Sequence, residues 1–250
     1  MSFKDGMKPI TSDEIKNLRY AVQYFQDCYL VSSVSSLTKT SNGRRILTEN
    51  IAHTDDGYRI RFQNVKGKCQ DYFVSQKEID LLTYLDKYGN TIIIPEDKPH
   101  NQIIKAIETA MNKLLRRYPD KKSFLCRIPN CNERFEFNKP SIFLEMFTGK
   151  KPIKLNEDGL SLNLKSKKTE CIDLFEKISK EPENSFVAGT SFNFNRKFSD
   201  YHCYSVQNID REKETIELFD HRLLDSIVLT YNEAIKYIKY FAGYFNKDLL

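Results

Sequence analysis

Apolar and polar residues alternate along this chain with two different periods. In "QDCYLVSSVSSL", Leu30, Val31, Val34 and Leu37 recur at the spacing of one helix face, which places Cys28 at or near a first helical turn. The preceding "TSDEIKNLRYAVQYFQ" opens with Thr11 and Ser12 before an acidic turn, a helix start. Asn42-Gly43 reads as the stop after the Cys28 helix. From Tyr58 the period becomes two, with Tyr58, Ile60 and Phe62 on one face and Gly67 in the turn of a hairpin. "NTIIIPED" reads as a short strand ending at Pro95. "NQIIKAIETAMNKLLRRY" carries the longest apolar stripe, from Ile103 to Leu115, and predicts a helix; "KPSIFLEMFTG" predicts another, ended by Gly149.

After a polar stretch between Gly149 and Thr169 the balance shifts. "TECIDLFEKISK" predicts a helix. "SFVAGTSFNF", "HCYSVQNID", "TIELFD" and "DSIVLTY" predict strands, the middle two forming a hairpin with a charged tip. Ile235, Ile238, Phe241 and Phe245 fall on one side of a helix that would close the chain. The expected fold class is therefore α+β, one unit over residues 1–250, with a helix-rich lobe over 1–155 and a β-rich lobe with a closing helix over 156–250.

Composition narrows the function classes. Of 250 residues, 40% are hydrophobic and 29% charged, which suits a globular domain. No apolar run reaches the length of a membrane span, and the N-terminus lacks the apolar stretch of a secretory signal. These features predict a soluble, cytoplasmic protein without a membrane partner. Usage rich in Lys, Asn and Ile hints at an AT-rich, bacterial genome, which leaves an exported effector as the alternative. The net charge of +5 comes from scattered basic residues flanked by acids, so no nucleic-acid partner is expected. Six cysteines, Cys28, Cys69, Cys126, Cys131, Cys171 and Cys203, are too widely spaced for a disulfide framework in a reducing compartment. Cys126 and Cys131 have no second pair nearby, so a zinc site there is a minor reading and no cofactor is expected.

A cysteine nucleophile needs a favoured thiolate, a base within hydrogen-bond reach and a group that orients the base. A helix N-terminus favours an anion, and Cys28 is placed at one. His202 begins a β-patterned run, and Asp220 ends the return strand of the same hairpin, where the two ends face one another. Cys28, His202 and Asp220 thus form a candidate triad spanning the helical and β parts. Cys203 is expected to face away from His202 into the core, and Asp27 to cap the helix. His221, read as an exposed histidine, is the substitute for His202, although neighbouring side chains of a strand point opposite ways and set it apart from Asp220.

The wording of these segments resembles the calpain catalytic core, within the papain-like cysteine peptidases. "QDCYLVSSVSSL" is similar to the family's Gly-Asp-Cys-Trp box and the small-apolar helix that follows it. "DYHCYSV" is similar to its Gly-His-Ala-Tyr-Ser-Val strand, and "IELFDHR" sets Asp220 in the slot of the family's orienting Asn. "AIETAMNKLL" followed by "FLEMFTG", and "LTYNEAIKYIKYF", resemble later elements of the core in the same order, so the likeness runs from about Gln23 to Phe241. The resemblance implies a papain-like fold and a cysteine-type endopeptidase acting on protein or peptide substrates, with Cys28 as nucleophile, His202 as base and Asp220 as orienting group. The family's oxyanion Gln lies six residues before its nucleophile; here that slot is Val22, and the candidate donor is Gln23 beside it, with Gln26 or no donor as the alternatives. Tyr29 stands where the family has Trp, and no acidic loop resembles the calcium sites. These departures leave two alternatives: a catalytically impaired pseudoprotease that binds proteins, and a related deubiquitinase or acyl-transfer enzyme.

Overall fold

The serine-rich run after Cys28 lies at the centre of the molecule. In this computed structural model, residues 6–21, 23, 27–65, 67–81, 84–85, 91–92, 99–117, 139–157, 164–190, 198 and 201–250 are described. The helices are α1 (Ser12–Leu18), α2 (Cys28–Leu37), α3 (Ser41–Asn50), α4 (Gln76–Asp80), α5 (Pro99–Arg117), α6 (Pro140–Thr148), α7 (Lys168–Lys180) and α8 (Tyr231–Tyr237). Strands β1 (Lys8–Pro9), β2 (Ile51–Thr54), β3 (Gly57–Val65) and β4 (Lys68–Ser75) form an antiparallel sheet in chain order. A short pair joins β5 (Tyr84–Leu85) to β6 (Thr91–Ile92). Six further strands are β7 (Ile153–Leu155), β8 (Asn184–Thr190), β9 (Cys203–Asp210), β10 (Thr215–Asp220), β11 (Asp225–Thr230) and β12 (Ile238–Phe245). They pair antiparallel in the order β11-β10-β9-β8-β12-β7. The fold is α+β with antiparallel sheets.

The six-stranded sheet is covered on both faces. Successive side chains of a strand point to opposite faces, so Val187, Cys203, Ser205 and Tyr244 face α2, while Phe186, Ala188, Tyr204, Val206 and Phe241 join a second core with α7 and α8. All ten residues of α2 are buried. Its apolar members Leu30, Val31, Val34 and Leu37 pack in the first core with α5, α6 and β3; each such burial is worth about 2 kcal/mol of transfer free energy. The serines let the helix lie close to the sheet, and their buried hydroxyls all find acceptors. Ser32 Oγ donates to the Cys203 carbonyl at 2.9 Å, Ser35 Oγ to the Arg19 carbonyl at 2.7 Å, and Ser36 Oγ to the Ser33 carbonyl at 2.8 Å.

Several expected elements stand where the pattern put them: α2, the β3–β4 hairpin, α5, α7, and α6 ending at Gly149, whose φ of 76° is the left-handed cap that glycine adopts at least cost. Two expectations are corrected. The segment from Tyr231 to Phe245 is not one helix: α8 ends at Tyr237, and the rest is β12, a strand paired on both sides with β8 and β7. Asn42-Gly43 does not stop the Cys28 helix, which ends at Leu37; both residues lie in the first turn of α3, capped by Thr40. Part of "NTIIIPED", the end of "SFVAGTSFNF", and both Cys126 and Cys131 lie outside the described residues. No described helix is long and apolar enough to cross a membrane.

Candidate active site

Cys28 is the first residue of α2, with its thiol where the helix meets the start of β9. Asp27 opens the helix through its backbone: its carbonyl accepts from Leu30 N at 2.7 Å and Val31 N at 3.2 Å, in place of the expected side-chain cap. Cys28 Sγ lies 3.8 Å from the carbonyl oxygen of Tyr201. Tyr201 has φ 51°, an uncommon conformation for a non-glycine residue, and it redirects the chain into His202.

His202 is fixed through its backbone and its ring. Its N–H donates to Thr190 Oγ1 at 3.1 Å, and its carbonyl accepts from Thr190 N at 2.9 Å. The ring stands edge-on to Tyr204, with centroids 4.7 Å apart. His202 Nε2 lies 3.1 Å from Asp220 Oδ1, which leaves the other ring nitrogen for the thiol. Asp220 is held in turn, since the same Oδ1 accepts from Arg222 N at 2.8 Å and Leu223 N at 3.2 Å. The hairpin therefore brings the two strand ends together, and Cys28, His202 and Asp220 stand at one place.

Electrostatics at the site pull in two directions. Burial disfavours the imidazolium of His202, but the Asp220 carboxylate and the Cys28 thiol outweigh it and lift His202 to about 9. Burial alone would raise Asp220; His202 and the two backbone amides bring it down to about 2. Cys28 is pushed well above the ordinary thiol value, first by contact with the Cys203 thiol and then by burial, against a smaller downward pull from His202. Both shifts favour the protonated form of their group.

Gln23 is joined to the residue that follows Asp220. Its backbone N–H donates to the His221 carbonyl at 2.9 Å, and the residue is buried. Val22 and Gln26 lie outside the described residues. His221, expected to be exposed, is wholly buried: Nδ1 meets the Ala21 carbonyl at 2.9 Å and Nε2 meets Ser205 Oγ at 3.0 Å. Burial lowers it to about 4, so it is a neutral clamp. With Arg19 bonded to Gln207 Oε1 and Tyr20 edge-on to Phe219, it fastens residues 19–21 and Gln23 to the β9–β10 hairpin. The two-residue period of β10, carried one step past Asp220, is the signal that sets His221 on the α2 face.

Cys203 lies in the core, as expected. Its side chain does turn away from the His202 ring into the first core, yet there its thiol contacts Cys28. Tyr240 lies across Gly189 and brings its hydroxyl 3.1 Å from Cys203 Sγ. A Cβ on Gly189 would lie 2.0 Å from the Tyr240 ring, so only glycine permits this approach. Among the described residues no group of three metal-binding side chains occurs. No protein-family model matches the chain, and no curated protein matches it.

Proposed function

We propose that the chain is a cysteine-type endopeptidase of papain-like fold, related to the calpain core. The observation that carries the proposal is the His202–Asp220 pair set beside a cysteine at a helix N-terminus. Cys28 Sγ attacks the carbonyl carbon of a peptide bond as its proton passes to His202. The oxyanion receives the backbone N–H of Cys28 and the side-chain amide of Gln23. His202 then donates its proton to the leaving amine, and water, deprotonated by His202, releases the acyl group. Asp220 keeps the imidazole oriented throughout. Transfer of the acyl group to an amine instead of water uses the same residues.

The second reading is a binding module on the same fold without turnover. The Cys203 contact and the burial that keep the Cys28 thiol protonated favour it. Incubation of an unfolded protein substrate with the wild type and with Cys28→Ala separates the two. New peptide termini formed by the wild type alone support the peptidase. Binding without cleavage by both proteins would establish the module.

A further inference from the structure

Cys203 and Tyr240 continue a row from Cys28 and have no part in the peptidase mechanism. In the sheet register Tyr240 pairs with Gly189 and Gly189 with Cys203, all on the face that meets α2. The α2 end of the row is equally fixed. Ser32, one turn after Cys28, is bonded to the Cys203 carbonyl at 2.9 Å, and Cys28 Sγ lies 3.8 Å from the Tyr201 carbonyl. The Cys28 sulfur therefore sits over the first residues of β9, against the Cys203 thiol. Cys203 Sγ is held in turn by the Tyr240 hydroxyl at 3.1 Å. Two thiols at one helix–strand seam, the first beside a histidine and the second hydrogen-bonded to a phenol, can act as an attacking and a resolving cysteine once the first is ionised.

We infer that Cys28 and Cys203 constitute an oxidative modification site, in which hydrogen peroxide converts the two thiols to a reversible intramolecular disulfide. The Cys28 thiolate attacks one peroxide oxygen, the O–O bond breaks, and the departing oxygen leaves as water after taking up a proton; Cys28 is then a sulfenic acid. The Cys203 sulfur attacks the Cys28 sulfur, the S–O bond breaks, and the oxygen leaves as a second water with the Cys203 proton. Two thiols lose two electrons in total, and the peroxide is reduced to two waters. The bond forms across the one helix–strand seam on which both side chains lie. Its regulatory meaning, removal and return of the nucleophile, rests on the peptidase reading; the chemistry of the pair does not.

The test uses the full chain and hydrogen peroxide. Folded protein is oxidised, quenched, alkylated, digested without reductant and examined by mass spectrometry. A peptide pair joined through Cys28 and Cys203 is expected, with both thiols regained on reduction. In Cys203→Ala and in Cys203→Ser, Cys28 is expected to proceed to sulfinic acid, which reductant does not reverse. Wild-type Cys28 driven to sulfinic acid with no joined peptide would overturn the inference, as would a Cys28 bridge formed as readily to exposed Cys69 as to Cys203. The joined peptide is read by mass alone. A linked pair in a protein that cleaves nothing removes the peptidase and leaves the thiol pair; cleavage without the link does the reverse.

Discussion

At the scale of single residues the account depends on how Asp220, Gln23 and Cys203 act on Cys28 and His202. Asp220 both orients His202 and raises its basicity. Asp220→Ala is expected to slow alkylation of Cys28 by roughly two orders of magnitude, the lower range for a positioned acid–base group, while the thiol stays in place. Stopped-flow alkylation checks this; an unchanged rate would remove Asp220 from the site. Gln23→Ala is expected to cost about two to three orders of magnitude in kcat with little change in KM, as for the loss of one oxyanion donor. Steady-state cleavage of a peptide amide measures both. Because Cys203 favours the protonated thiol, Cys203→Ala should move the pH profile of Cys28 alkylation to lower pH. The placing of Cys28, His202 and Asp220 near one another was legible in the sequence because each lies in a short local pattern: a helix start, a strand start and a strand end. Cys203 and Tyr240 were not. Their meeting depends on the pairing of β12 with β8 and of β8 with β9, which no local window contains.

Elements explain why the site holds its shape. Arg19 to Ala21 lie beyond the end of α1, and the buried ring of His221 holds the Ala21 carbonyl. His221→Ala is expected to lower kcat and to weaken amide protection at residue 23, with partial rescue by His221→Gln, which keeps a polar group. A merely structural role would lower thermal stability and leave kcat of the folded fraction intact. Gly189→Ala drives a Cβ into the Tyr240 ring; overpacking of this kind should cost about 3 kcal/mol, read from urea unfolding. At this scale the sequence misleads between Ile238 and Phe245. The apolar positions Ile235, Ile238, Phe241 and Phe245 fit a helical stripe. However, β12 lies between two strands and its burial is nearly continuous, so helical spacing carries no information there. The aromatic residues of "IKYFAGYF" were the better signal.

For the whole molecule, the two buried histidines near the site set opposing slopes of stability with pH. His221 falls from its ordinary 6.5 to about 4, so between those values the unfolded chain binds more protons and stability rises with pH. The shift corresponds to about 3 kcal/mol at most. His202 rises from 6.5 to about 9; its stabilising contribution is complete below about 6.5 and is lost as pH climbs toward 9. Stability should therefore peak near pH 6.5, with the acid-side slope flattened in His221→Gln. Melting temperatures across pH 4 to 8 check this, and a profile that climbs steadily to pH 8 would contradict it. The α+β class and most of the element order were readable from the chain. The double-sided cover of the six-stranded sheet, which turns a serine-rich helix into the seat of the thiol, was not.

The most direct measurement is labelling of the folded protein with a thiol-reactive peptidyl epoxide, comparing wild type with His202→Ala and locating adducts by mass spectrometry. The account predicts selective modification of Cys28, faster as pH rises from 6 toward 9 and lost when His202 is removed. Equal, slow labelling of several cysteines in both proteins would contradict it, because Cys28 would then be an ordinary buried thiol.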